Sequence, residues 1–254
     1  MIIDNIKYLV VSITSFSRIP IPTNWINFEN LAMSKSLAYF PIVGLIIGFI
    51  DYLFYLIFKN TLSKDSLSVI LITIPIILTG AYHEDGIADV GDSYGGYTRE
   101  RMFEIMKDSR IGTFGGLALI CVVLLKYTFI KDISLDILGL SIILSMVVSR
   151  FCLLIPFKLH PYAGITKTTQ NLLKFSNLTL LQAFLVTIVI VYFTFNLKGV
   201  VILLIVQTVS IIVSYYFRHK YGGLTGDMAG ALEQINELSC FLIFMLLSLG
   251  TIHL

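Results

Sequence analysis

The chain has 254 residues, of which 56% are hydrophobic and only 13% are charged, against a charged share of about 25% in soluble domains. With a mean hydropathy of +0.87 and repeated apolar runs near 20 residues, this composition excludes a soluble domain, a disordered chain and a secreted disulfide module. The net charge of +2 comes without a long basic tract, so nucleic acid is excluded as a partner.

The predicted elements are an N-terminal segment and seven apolar stretches. Residues 1–36 are predicted to form an amphipathic or interfacial segment, because Asp4 and Lys7 interrupt its apolar run. Only helices satisfy their own backbone hydrogen bonds in lipid, so the fold class is an all-α, polytopic integral membrane bundle forming a single domain over residues 1–254. The seven predicted transmembrane helices cover residues 37–58, 66–82, 112–130, 137–157, 178–195, 200–217 and 228–250.

Lysine and arginine residues are distributed unevenly between the two ends of this bundle. Twelve lie with the N-terminal segment and the loops 83–110, 158–177 and 218–227, and four lie at the other end. The positive-inside rule therefore predicts that the N-terminus and these loops face the cytoplasm, in a cytoplasmic (inner) cell membrane. A polar site on one face favours an enzyme over a transporter, which would place ionisable groups near the bilayer midplane.

The densest polar feature is the segment HEDGIADVGD at residues 83–92, directly after the second span. If that helix continues through the segment, three of its aspartates share one face at i, i+4 and i+7. Such carboxylates repel one another unless a cation neutralises them, and all-oxygen ligands favour Mg²⁺ or Mn²⁺ over zinc. The alternative is a solvated acidic loop. The candidate metal ligands are Asp85, Asp89, Asp92, Glu84 and Asp227.

Basic side chains close the same predicted loop in the segment KDSRIGTFG at residues 107–115. Cations beside a carboxylate-bound metal suit phosphoryl transfer, because they stabilise the charge of the transition state. This makes Lys107, Asp108 and Arg110 candidate catalytic residues, although the cations could instead only anchor the cytoplasmic face. The neighbouring glycines are predicted to permit close helix packing rather than phosphate binding.

The last polar loop reads RHKYGGLTGD at residues 218–227. Its glycines allow the backbone to approach a ligand closely, so Gly223 and Thr225 are candidate substrate contacts. Asp227 precedes a helix, where it either caps the first turn or binds metal.

Several further candidates lie outside these segments. Glu233 and Glu237 are predicted to face the bundle interior and Arg150, because unpaired carboxylates are costly inside a span. Arg18 either reaches the site or anchors an interfacial segment. His160 is a candidate proton carrier whose alternative is a surface position. Arg18, Arg150, His160 and Glu233 are taken as candidate substrate-binding residues.

These motifs, in this order, resemble those of the cobalamin synthase family, the adenosylcobinamide-GDP ribazoletransferases. The resemblance covers nearly the whole chain. It rests on SRIPIP at residues 17–22, YFPIVG at 39–44, the acidic segment at 83–92, EIMKDSRIGTFG at 104–115 and GGLTGD at 222–227.

The resemblance implies a Mg²⁺-dependent condensation of adenosylcobinamide-GDP with α-ribazole or its 5′-phosphate, giving adenosylcobalamin or its 5′-phosphate and GMP. It implies that Asp85, Asp89 and Asp92 hold Mg²⁺ on the diphosphate, and that the two cations of residues 107–110 offset charge as GMP departs. One acid, or His83, would take the proton of the attacking ribazole hydroxyl.

Two other function classes stay open. A CDP-alcohol phosphotransferase also displaces a nucleoside monophosphate beside a membrane, but the arginine that usually lies between its two acidic pairs is missing here. A secondary transporter would place its essential groups near the midplane. Association of several copies of the chain is also left open.

Overall fold

A computed structural model of the protein describes residues 2–26, 33–164 and 174–252. Within these ranges the regular elements are helices, apart from one isolated bridge between Tyr162 and Leu224. In chain order they are α1 (Ile2–Phe16), α2 (Phe40–Phe58), α3 (Lys64–Thr79), α4 (Tyr82–Asp92), α5 (Arg99–Met106), α6 (Thr113–Asp132), α7 (Leu135–Cys152), α8 (Leu154–Leu159), α9 (Asn177–Tyr221) and α10 (Gly226–Ser248). Short 3-10 helices lie at Met33–Tyr39 and Ser93–Gly95. The predicted all-α class is confirmed for the described residues.

The helices have the length and surface of a membrane bundle. Five are long and apolar enough to cross a bilayer, and a sixth crossing results if α3 and the bent segment after it form one span. Large apolar side chains on their outer faces are exposed, including Leu124, Phe193 and Leu204, as lipid-facing residues would be. A multi-pass membrane protein is thus supported, while the count of about seven helices and the orientation stay predictions.

Helix α9 folds back on itself. Its 45 residues would extend roughly 68 Å if straight, about twice the thickness of the hydrocarbon core. The backbone leaves the helical region at Phe195 and Asn196, and a Cβ added to Gly199 would lie 2.7 Å from the carbonyl oxygen of Val191. In a straight helix these two residues would be about 12 Å apart. The reversal falls in the gap between the predicted spans 178–195 and 200–217.

A sharp break separates α3 from the acidic motif. Gly80 (φ 70°) and Ala81 (φ 59°) both adopt the left-handed conformation, and the following segment leaves at 92° to α3. The N–H of Ala81 donates to the carbonyl of Ile76 at 2.9 Å, which is the long bond of a Schellman helix end. The expectation of one helix continuing through the motif is therefore wrong, and the predicted loop 83–110 contains α4 and α5.

Helix α7 lies at the centre of the bundle, between α2 and α10. It is buried along most of its length, and Gly44 of α2 touches the carbonyl oxygen of Met146. The acidic helix α4 lies directly against α10, because a Cβ added to Gly86 would be 2.5 Å from the carbonyl oxygen of Asp227 and 2.9 Å from the Cα of Gly230. Glycines therefore bring the motif helix into backbone contact with α10.

Candidate active site

A pocket of about 430 Å³ opens beside α4. Acidic residues of α4 form one wall, and the basic segment that follows α5 forms another. The described lining residues are Ala81, Glu84, Asp85, Ala88, Asp89, Asp92, Met106, Lys107, Asp108, Ser109, Arg110, Ile111 and Leu119. The fold thus brings together the two motifs that the sequence singled out separately.

Three carboxylates meet where α4 contacts α10, and we call them the carboxylate group: Asp85, Asp89 and Asp227. Asp85 and Asp89 are one turn apart on α4, and Asp227 lies in the first turn of α10. Asp85 is exposed and the other two are half-buried. The negative charges of Asp85, Asp227 and Asp92 all act on Asp89. Their mutual repulsion favours a bound cation.

The carboxylate group fits a hard divalent cation by its donor chemistry, since every ligand atom is an oxygen. Among the described residues, no three His, Cys, Asp or Glu side chains already have the arrangement of a complete metal site. Mg²⁺ typically takes one or two carboxylates and fills its remaining positions with water and substrate phosphate. A shared Mg²⁺ site on protein and diphosphate is therefore compatible with these donors, and it stays a prediction.

Asp92 lines the same pocket and its charge also acts on Asp89, but its hydrogen bonds are to the start of α6. Its Oδ2 accepts the N–H of Gly112 and its Oδ1 accepts the N–H of Gly115, both at 2.7 Å. The first N–H groups of a helix lack partners within the helix and carry partial positive charge, so Asp92 caps α6 from a neighbouring helix. A Cβ at either glycine would collide with this carboxylate, which confirms the close-packing prediction for Gly112 and Gly115. The same prediction is wrong for Gly116, because a Cβ there would have nothing within 4 Å among the residues that the structure describes.

Arg110 binds Asp108 at the pocket rim. Its Nη2 donates to Oδ2 at 2.6 Å and its Nε donates to Oδ1 at 3.0 Å. These bonds, with the backbone N–H of Arg110, lower the pKa of Asp108 to about 2. Asp108 is therefore ionised and occupied at neutral pH, which disfavours a role as proton acceptor. Lys107 is exposed, lines the pocket and has no ion-pair partner in the described part of the chain.

A buried polar network lies behind the α4 wall of the pocket. His83 Nδ1 is 3.2 Å from one oxygen of Glu233, and Arg150 Nη1 is 2.9 Å from the other. The hydroxyl of Ser149 also donates to Glu233, at 2.9 Å. The predicted pairing of Glu233 with Arg150 is confirmed. His83, Arg150 and Glu233 are buried, do not line the pocket and join α4, α7 and α10 behind it. Their catalytic and substrate-binding roles stay predictions.

A second buried ion-pair cluster is centred on Lys126 of α6. Its ammonium nitrogen is 3.0 Å from Glu237 Oε1 and 4.0 Å from Glu84 Oε1. The ion pair of Glu237 is therefore with Lys126 and not with Arg150. Glu84, a predicted metal ligand, directs one oxygen toward this lysine. The sequence signal for this cluster was the lysine itself, because a cation in an apolar span requires a partner.

The loop before α10 contacts the chain near residue 161. A Cβ at Gly223 would collide with the carbonyl oxygen of Pro161, and the N–H of Leu224 donates to the same oxygen at 2.9 Å. The close approach that the glycine permits is therefore to this backbone. His160 is buried and lies within 2.9 Å of the Ser214 hydroxyl. Neither Gly223 nor His160 lines the pocket.

Thr225 caps α10. Its Oγ1 accepts the N–H of Met228 at 3.3 Å, which is the bond expected from an N-cap side chain. The cap position is thus taken by Thr225 and not by Asp227. Asp227 does not line the pocket, and it is included in the carboxylate group because its charge acts on Asp89.

Arg18 lies beside the break between α3 and α4, although it does not itself line the pocket. Its exposed side chain packs over Gly80, where an added Cβ would be 2.5 Å from Nε. Ala81, which follows Gly80 in the chain, lines the pocket. Of the two alternatives for Arg18, this position favours reaching the site.

Comparison with known proteins decides the family. The family model for cobalamin-5-phosphate synthase matches residues 8–245. This chain belongs to the cobalamin-5-phosphate synthase family. A relative in Caldanaerobacter subterraneus subsp. tengcongensis, named adenosylcobinamide-GDP ribazoletransferase, is 35% identical over 96% of this chain and 100% of its own length. A second with that name, in Thermoanaerobacter sp. (strain X514), is 34% identical over 97% of this chain and 100% of its own. A third relative of that name, in Shewanella sp. (strain W3-18-1), is 29% identical over 95% of this chain and 94% of its own length. No solved structure matches the chain.

The family resemblance inferred from the motifs is therefore confirmed. In this member of the cobalamin-5-phosphate synthase family, the acidic segment and the segment around Lys107 share one pocket. Sequence reasoning missed the cap formed by Asp92 and the pairing of Lys126. Both depend on contacts between separate helices.

Proposed function

We propose that the protein is an adenosylcobinamide-GDP ribazoletransferase, which joins adenosylcobinamide-GDP to α-ribazole or its 5′-phosphate and releases GMP. The match to relatives of that name along nearly the full chain carries this proposal. The pocket supports it, because acids suited to a divalent cation and the exposed Lys107 line the same pocket. Acids and a cation in one pocket suit transfer between phosphate esters.

The chemistry requires a ribazole hydroxyl oxygen to bond to the phosphorus next to the cobinamide, while the bond from that phosphorus to the GMP oxygen breaks. Mg²⁺, when bound, would offset the negative charge of the diphosphate. We assign its protein ligands to two members of the carboxylate group. Lys107 lies across the pocket, where its ammonium can stabilise the departing GMP phosphate.

The hydroxyl proton needs an acceptor within the pocket. Asp108 is occupied by Arg110, and His83 is buried against Glu233 outside the lining. We therefore assign proton acceptance to Asp85, the exposed member of the carboxylate group. Asp89 and Asp227 would then hold Mg²⁺, which typically takes one or two carboxylates. Arg110 keeps Asp108 ionised and places a second cation at the pocket rim.

The assay that tests this function supplies the full-length protein in lipid nanodiscs with adenosylcobinamide-GDP, α-ribazole and Mg²⁺, and measures GMP and corrinoid product. We expect Mg²⁺-dependent GMP release that falls by at least about 100-fold when Asp85→Asn and Asp89→Asn are combined. Glu100→Gln is the matched control, because Glu100 is an exposed acid outside the lining. Full activity in the double variant would overturn the metal assignment, and CMP release from a CDP-alcohol would replace the proposed substrate class.

We also propose seven crossings with the N-terminus in the cytoplasm. Four single helices, the bent α3–α4 pair and the two arms of α9 make seven. In a Cys121→Ser background, which removes the exposed native thiol, a cysteine at Tyr94 should be protected from an impermeant maleimide added outside cells. A cysteine at Asn60 should react. The reverse pattern would invert the orientation.

A further inference from the structure

Asp51 is a buried acid to which the proposed reaction gives no role. It lies on α2 with 1% of its surface exposed. Among the described residues, neither of its carboxylate oxygens has a hydrogen-bond partner. An ionised carboxylate without a partner is very costly in an apolar interior. A positive charge must therefore accompany Asp51, or the carboxyl must be neutral.

The charged groups that act on Asp51 come from two other helices, Glu237 of α10 and Lys126 of α6. Lys126 is already engaged, with its ammonium 3.0 Å from Glu237 and 4.0 Å from Glu84. No ion pair joins it to Asp51 within the described ranges. Three carboxylates thus share one ammonium.

The neighbouring polar network does not supply the missing charge. Arg150 is paired with Glu233, so that pair is balanced. Glu84 borders the pocket, but its Oε1 is directed toward Lys126 and its Oε2 is buried without a hydrogen-bond partner among the described residues. The unbalanced negative charge is therefore shared by Asp51, Glu237 and Glu84. Of these three, Asp51 and Glu237 lie away from the pocket, in the interior of the bundle.

We propose that Asp51 and Glu237, beside Lys126, form a binding site for one monovalent cation, either Na⁺ or a proton, inside the bundle. Carboxylate oxygens are hard ligands that accept both ions, and a single positive charge reduces the excess negative charge without overcompensating it. Mg²⁺ fits this interior poorly, because it gives up its water shell reluctantly. The site is separate from the pocket, since neither Asp51 nor Glu237 lines it, and it does not depend on the proposed activity.

The test is thermal unfolding of the full-length protein in nanodiscs at constant ionic strength, with NaCl replaced stepwise by choline chloride. If the occupant is Na⁺, the Tm of the wild-type protein rises by about 3–6 °C at tenfold excess over the Kd. If it is a proton, the Tm in choline rises as the pH falls from 9 to 6. This direction follows because the native state keeps a proton that the unfolded state releases.

Asp51→Asn should abolish whichever response the wild-type protein shows, and Asp132→Asn, which alters an exposed acid, should keep it. Where Asp51→Asn does not fold, Glu237→Gln serves in its place and should weaken the same response. The proposal is overturned if the wild-type protein responds to neither Na⁺ nor pH, or if the variant responds as strongly as the wild type.

Discussion

The contact between Asp92 and the start of α6 gives the sharpest mutational prediction. Asp92→Ala removes two hydrogen bonds of 2.7 Å from a carboxylate to the N–H groups of Gly112 and Gly115. A single N-cap side chain contributes about 0.5–2 kcal/mol, and a hydrogen bond to a charged group about 1.5–3 kcal/mol. Water recovers part of this at a half-buried site. We expect a loss of about 2–3 kcal/mol of unfolding free energy, or a Tm lower by about 4–12 °C.

Two further variants separate this cap from a metal-binding role. Asp92→Asn keeps one acceptor oxygen but turns an amide donor toward the second N–H. We therefore expect it to lose at least about half of the unfolding free energy that Asp92→Ala loses. Asp85→Asn changes an exposed carboxylate of the carboxylate group. It should leave the Tm within about 1 °C of the wild-type value and strongly reduce GMP release.

The assay is a Tm measured in nanodiscs together with the rate of GMP release for each variant. Under the cap interpretation, Asp92→Asn loses stability, and Asp85→Asn loses activity at unchanged stability. An Asp92→Asn protein with wild-type Tm and the same activity loss as Asp85→Asn would refute the cap and restore Asp92 as a metal ligand.

Three other predictions concern packing, pH and buried charge. Gly86→Ala places a Cβ 2.5 Å from a backbone oxygen of α10 and should lower the free energy of unfolding by about 1–3 kcal/mol, seen as a lower Tm. Gly116→Ala is the control: its Cβ has nothing within 4 Å, so it should raise the free energy of unfolding by up to about 1 kcal/mol. The pKa of Asp108 is lowered to about 2, below the unfolded value of about 3.9, so its stabilising effect is complete above that value and is lost only as the pH falls toward 2. Asp108→Asn should accordingly leave the shape of the pH–rate profile unchanged between pH 6 and 9, and a shifted apparent pKa would contradict this. Glu233→Gln leaves Arg150 buried without its counter-charge and should cost about 3–5 kcal/mol, measured by Tm and folded yield; a Tm close to that of the wild type would show that Arg150 finds another partner.

The apolar pattern predicted most of the helices, because every helix that crosses lipid needs about 20 mainly apolar residues. The predicted span at 112–130 corresponds to α6 (Thr113–Asp132), and that at 228–250 corresponds to α10 (Gly226–Ser248). The break at Gly80 and Ala81 was not predicted. Glycine is common inside such helices, and a left-handed alanine leaves no mark in a hydropathy pattern.

The candidate site was predictable in composition but not in the roles of its members. Helical spacing put Asp85, Asp89 and Asp92 on one face, but spacing within one helix cannot show that the start of another helix lies beside Asp92. In the same way, Lys126 and Glu237 are 111 positions apart in the chain, and only the packing of α6 against α10 brings them together.

The short links at one end of the bundle restrict where the protein can move. At the α6–α7 turn, the ammonium of Lys64 donates to the carbonyl of Ile133 at 2.8 Å, and the Ser248 hydroxyl accepts the N–H of Ser134 at 3.0 Å. The Tyr55 hydroxyl donates to the carbonyl of Leu135 at 2.6 Å. These bonds connect α2, α3, α6, α7 and α10 at this end of the bundle. We therefore expect the helices to spread only at the opposite end, where the longer connections leave room for a corrinoid to enter and a nucleotide to leave.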